Sequence, residues 1–147
     1  MAEAKEMARR DIELFNQGKL EEVVNGWAEN VEFESPLSGP LKGRESVKAY
    51  WKQTRESFPD MKVQVRTMVG EGTRVAVEYT VTGTNTGSLK MPTGETIPAT
   101  NKKVTLPGLD ISEAGSDAKL KSLHQYFDAM GIMRQLGLVP AEASTRA

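Results

Sequence analysis

Apolar residues recur at helical spacing through most of the first 58 positions and alternate with polar ones through much of the remainder. Ala4, Ala8, Ile12 and Phe15, with Met7 and Leu14 beside them, describe one helical face that Gly18 terminates. Leu20, Val23, Val24 and Trp27 form a second, shorter stripe. Val31-Glu32-Phe33-Glu34 alternates, which predicts a short strand with both glutamates toward solvent, and Pro36 to Gly43 reads as a loop. Val47, Tyr50, Trp51, Thr54 and Phe58 share a face of a third helix, ended by Pro59.

Beyond this point the period changes to two. Val63, Val65, Thr67 and Val69, then Val75, Val77, Tyr79 and Val81, predict a hairpin turning at Gly70-Glu71-Gly72. Pairing 65 with 79 and 69 with 75 joins the apolar sets and puts Arg66 opposite Glu78. Residues 83–101 are turn-rich and leave their conformation open. A strand is expected from about Lys102 to Glu113, with a bulge at Pro107-Gly108, and a last strand from Ala118 to Asp128. A short helical segment, Ala129 to Leu136, follows, capped by Gly137. Helices followed by an antiparallel meander make an α+β order. A strongly twisted sheet carrying three helices on its concave face would enclose a core with an open end as a pocket.

The last strand concentrates the candidate chemistry. Alternation places Leu120, Ser122, His124, Tyr126 and Asp128 on one face, and Lys121, Leu123, Gln125 and Phe127 on the other. Pairing Ile111 with Leu120 and Leu109 with Ser122 adds two apolar residues to the His124 face, which therefore reads as inward. The same register sends Asp110 outward, opposite Lys121, as a surface pairing residue. His124 and Asp128 lie about 13 Å apart along a strand, too far for a bonded dyad, so they would address opposite ends of a ligand with Tyr126 between them. A carboxylate beside an apolar pocket has its pKa raised by desolvation, which suits proton transfer near neutrality. Asp128 also reads as the N-cap of the terminal helical segment. Leu123 and Phe127, on the face taken as outer, suggest a homodimer formed through the sheet.

Composition narrows the chemistry. The chain has no cysteine and one histidine, which excludes disulfide frameworks, thiolate zinc sites, iron–sulfur clusters and multi-histidine clusters. With 19 basic and 20 acidic residues, its net charge of −1 carries no footprint for nucleic acid or an anionic membrane. No apolar run approaches the roughly 18 residues of a membrane span, and no secretory signal core is evident, so a cytoplasmic location is expected. The glycine-bearing turns 83–87 and 92–94 fit neither the phosphate-loop nor the dinucleotide pattern. One domain over residues 1–147, with a fraying tail at 141–147, is expected.

Phe15-Asn16-Gln17-Gly18, Phe33, Gly43-Arg44-Glu45, Phe58-Pro59-Asp60, Gly83-Thr84-Asn85-Thr86-Gly87, Pro92-Thr93-Gly94, Tyr126-Phe127-Asp128 and Arg134-Gln135-Leu136-Gly137 occur in an order that resembles the SnoaL-like polyketide cyclases. These are a branch of the nuclear transport factor 2-like superfamily. The resemblance implies a cone: a curved antiparallel sheet wrapped around helices, with a deep apolar pocket and no cofactor or metal. It implies that Asp128, preceding the final helix and its Gln-Leu-Gly ending, is the general acid/base of an aldol closure. Together with the strand reading above, this makes His124 and Tyr126 the groups that would orient or polarise the oxygen of a small apolar carbonyl compound, with Trp27, Tyr50, Trp51 and Phe33 contacting it. Asn85 departs from the Gly-Thr-His-Thr-Gly form of that motif. Two other readings stand beside the cyclase: an epoxide hydrolase or hydratase, which needs a second inward acid, and a ligand-binding dimeric module without catalysis.

Overall fold

The computed structural model describes residues 2–91 and 93–139; the tail expected to fray, and Pro92, lie outside the described residues. Helix α1 (Ala2–Asn16) lays Ala4, Ala8 and Ile12 against the sheet and ends where Gly18 adopts a left-handed φ of 81°. Helix α2 (Leu20–Asn25) buries Val23 and Val24. Strand β1 (Trp27–Ser35) starts earlier than expected, because Trp27 opens the strand instead of extending the helical stripe. Strand β2 (Gly39–Lys42) occupies part of the expected loop; it is a four-residue edge strand, where Pro40 is tolerated. Helix α3 (Arg44–Ser57) ends before Pro59.

Strands β3 (Lys62–Glu71) and β4 (Arg74–Thr84) form the expected hairpin, and a small ribbon of β5 (Leu89–Lys90) and β6 (Thr96–Ile97) stands apart. Strand β7 (Lys103–Ala114), strand β8 (Leu120–Phe127) and helix α4 (Ala129–Gln135) complete the order. The main sheet runs β2-β1-β8-β7-β4-β3. All its neighbours are antiparallel except β1 and β8, which run parallel, so the sheet is mostly antiparallel. Three apolar clusters fill the fold: α2 and α3 on β1 and β8 around Phe33 and Trp27, α1 on the β3–β4 hairpin, and α4 on Val104 and Leu106 of β7.

Two β-bulges change which side chains face inward. In β3, Val65 pairs with Tyr79 as expected, but the ladder then slips, so Thr67 and not Arg66 meets Glu78. Past that bulge Met68 packs inward, while Val69 is 58% exposed. In β8 the slip lies between the Ala114–Leu120 and Glu113–Ser122 pairs. Leu120 and Leu123 are therefore both buried, although an unbroken alternation would separate them. Pro107-Gly108, by contrast, sits in a continuous ladder with β4 and carries no bulge.

Several residues of the motifs quoted above, together with Arg55, are pins of this architecture. Asn16 brackets Val63, donating to its carbonyl at 2.9 Å and accepting its N–H at 2.8 Å. Arg55 donates to the carbonyls of Phe15 and Met61, both at 2.6 Å, with its guanidinium over the Phe15 ring. Asp60 accepts from Thr84 N–H at 2.7 Å. Asn85 is fully buried; its amide donates to Ser57 and Gly87 carbonyls while its oxygen accepts from the Thr100 backbone and hydroxyl. Gln135 holds α4 to β7 by a reciprocal pair with Thr105 at 2.8 and 3.0 Å.

Candidate functional site

Helices and sheet enclose a cavity of about 230 Å³. That exceeds the roughly 150 Å³ that suffices for benzene and falls short of the ~300–1,000 Å³ of drug-sized clefts, so the space suits one or two rings. Its lining is mostly aliphatic and aromatic and includes Trp27, Tyr50 and Trp51. Tyr50 is held by its hydroxyl to Ser35 at 3.2 Å, and burial raises its pKa, so it stays a phenol. Phe33 is 1% exposed and does not line the cavity. It packs behind Tyr50 and Trp51 at ring distances of 5.5 and 5.6 Å, bracing the wall.

The face expected to look inward on β8 looks outward. Neither Asp128, His124 nor Tyr126 lines the cavity. Tyr126 is 53% exposed, and the His124 side chain is 43% exposed, 3.9 Å from Glu34 on the neighbouring strand. Asp128 caps α4, accepting from Gly131 N–H at 3.0 Å, and pairs with Arg134 at 3.2 Å, its side chain 62% exposed. Leu123 and Phe127, expected outside as a dimer surface, instead line the cavity. The partition of residues between faces holds from Ser122 onward, but its sense is inverted. Leu109 and Ile111, taken as marks of the interior, are 37% and 41% exposed, and the bulge moves Leu120 to the opposite face.

That inversion brings Asp110 inside. It pairs with Gln125, not Lys121, which instead lies 3.6 Å from Glu113. Asp110 Oδ1 accepts the Tyr79 hydroxyl at 2.7 Å, and Gln125 Nε2 approaches Oδ2 at 3.5 Å. Asp110 keeps some accessible surface and forms part of the cavity wall. Burial pushes its pKa up to about 7, with the two donors pulling the other way. Burial and the adjoining carboxyl raise Tyr79 as well, which keeps the phenol protonated as a donor. Gly108 makes this contact possible: a Cβ there would stand 2.7 Å from the Tyr79 ring.

A second carboxyl reaches the cavity from α1. Asp11 Oδ2 accepts the Trp27 indole N–H at 3.0 Å, and burial raises its pKa despite that bond and nearby Arg10. Among the described residues no Lys, Arg or His lines the cavity, and no three acidic or histidine side chains converge as a metal site.

Signals for these residues were present in the sequence. A tyrosine on the inward face of β4 needs a polar partner, and a glycine within a strand marks a close approach. Carrying the inward sense of Tyr79 across to Gly108 would have turned Asp110 inward too. Asp11 interrupts an apolar helical face, four positions after Met7 and four before Phe15.

The sequence matches the SnoaL-like polyketide cyclase family over residues 5–136. No curated protein sequence matches it significantly. Among solved structures, AclR of Streptomyces galilaeus, provisionally assigned as a hydroxylase, superposes with a TM-score of 0.81 at 20% identity, over 95% of this chain and 99% of that one. IdmH of Streptomyces antibioticus, provisionally a polyketide cyclase, gives 0.75 at 23% identity, over 91% and 98%. A protein of unknown function from Burkholderia pseudomallei, of the nuclear transport factor 2-like type, gives 0.74 at 18% identity, over 92% and 98%. These likenesses establish the fold; their differing assignments leave the chemistry to the cavity.

Proposed function

The chain belongs to the SnoaL-like polyketide cyclase family, and from that premise we propose an enzyme that moves a proton on an enolisable carbonyl compound of one or two rings, with Asp110 as the general acid/base. The observation that carries this reading is a carboxyl inside an apolar cavity, poised near neutrality and fixed by Tyr79 and Gln125. As carboxylate, Asp110 takes the proton α to the carbonyl, and the C–H electron pair passes into the enolate. Gln125 has two N–H bonds; one approaches Asp110 and the other is available to the enolate oxygen. The enolate carbon then attacks a second carbonyl carbon of the same molecule, and the new alkoxide recovers the proton from Asp110. Returning the proton to another carbon instead gives an isomerisation. Neither route needs a co-reactant.

The second acid that a hydrolytic reading requires is present in Asp11, but such chemistry usually also sets a basic residue between the two acids to hold the water, and among the described residues none lines the cavity. The discriminating measurement is hydrogen–deuterium exchange at the α-carbons of 2-tetralone in D₂O, followed by NMR. The wild-type protein should accelerate exchange over buffer, with a rate rising through about pH 7. Asp110→Asn should lower the acceleration by at least about 100-fold. A wild-type rate equal to buffer, or an Asp110→Asn rate equal to wild type, overturns the reading, and the former outcome favours a binding module.

A further inference from the structure

We infer that Asp11 is a specificity residue: it receives a hydroxyl or other N–H or O–H donor of the bound molecule, while ligands bearing a carboxylate or phosphate are rejected. This rests on the cavity being the binding site. Asp11 lies on the face of α1 that packs toward the sheet and lines the cavity. Its Oδ2 is fixed by the Trp27 indole, so the carboxyl is oriented by a rigid partner. Its Oδ1 has no hydrogen-bond partner among the described residues, and no buried side-chain oxygen among them is left unsatisfied, so Oδ1 keeps accessible surface. An oriented acceptor with an open lone pair, at the wall of a mostly apolar space, recognises a donor.

Its place along the cavity separates it from the proposed chemistry. Trp27 pairs with Leu120, whereas Asp110 pairs with Gln125, four ladder steps further along β8 once its bulge is allowed for, or roughly 13 Å of strand. A ligand whose carbonyl sits at Asp110 would offer a different atom to Asp11. Charge points the same way. Among the described residues, two carboxyls and no cationic side chain line the space, so an anionic ligand meets acceptors and no counter-charge there. Arg10 acts on Asp11 electrostatically but is not part of the lining.

The probes are 2-naphthol, its near-isostere 2-methylnaphthalene, and 2-naphthoate, with dissociation constants measured by ligand-observed NMR. Wild-type protein should bind the naphthol about tenfold more tightly than the methyl compound, as expected for one hydrogen bond to a charged acceptor. Naphthoate should not compete. Asp11→Leu, similar in size, should bring the two neutral probes to near parity. Asp11→Asn, which keeps an oxygen at that position, should restore part of the preference and serves if the leucine variant does not fold. If Asp11→Leu retains the preference, or if naphthoate binds as well as naphthol, the inference is overturned. If wild type binds neither neutral probe, the cavity reading itself falls.

Discussion

Asp110 and Asp128 are the same amino acid on opposite sides of one wall. Asp110 faces a cavity that no cationic side chain lines among the described residues, bonded to a phenol and an amide, and burial raises its pKa to about 7. Asp128 faces solvent, closing the first turn of α4 and pairing with Arg134. The difference shows that position in a family pattern does not by itself place a carboxyl in the cavity. A carboxylate whose acceptor sites are given to a helix N-terminus and a guanidinium braces the fold. One enclosed by apolar side chains can exchange a proton at neutral pH.

The largest effect that should distinguish them is on stability against pH. Because the folded-state pKa of Asp110 lies above its ordinary value of 3.8, its contribution is fully present below about pH 4 and is lost as pH rises through about 7. That gap corresponds to at most about 4 kcal/mol. Urea unfolding between pH 4 and 7 should show this decline in wild type, and Asp110→Asn should flatten it; parallel curves would break the assignment. Next in size, Tyr79→Phe should slow tetralone exchange about fivefold to tenfold, for one lost hydrogen bond. It should also move the midpoint of the pH–rate profile upward, since the hydroxyl holds the Asp110 pKa down. An unmoved midpoint would mean that Tyr79 does not act through Asp110.

Asp128→Ala should cost about 1 kcal/mol of stability as a lost cap, lowering Tm by roughly 2–4 °C, with exchange unchanged. A loss of exchange comparable to that of Asp110→Asn would restore Asp128 to the chemistry. Smallest is His124→Ala, expected within about 0.5 kcal/mol of wild type and neutral in exchange.

The elements themselves were legible: three helices, a hairpin and two long strands follow from periodicity, and Trp27, Tyr50 and Trp51 do line the cavity. What alternation could not reveal was parity. A single extra residue in β3 and another in β8 turns every later side chain to the other face, and no residue type in those strands announces the slip. Apolar Leu109 and Ile111 on the outer face then reinforced the inverted sense. The family pattern itself was carried largely by structural pins such as Asn16, Asp60 and Gln135, which explains why it marks the fold more sharply than the site.

The parallel seam between β1 and β8 has a consequence for the order of events in the cell. One strand is made early and the other near the end of the described chain, yet they are neighbours in the middle of the sheet. A ribosome delivering this chain releases helices and the β3–β4 hairpin first, but nothing can join the two halves of the sheet until β8 has emerged. Pairings so distant in sequence are slow to form. The cavity, walled by residues on both sides of that seam, is therefore completed last, and until then its apolar lining is open to chaperones and to other nascent chains.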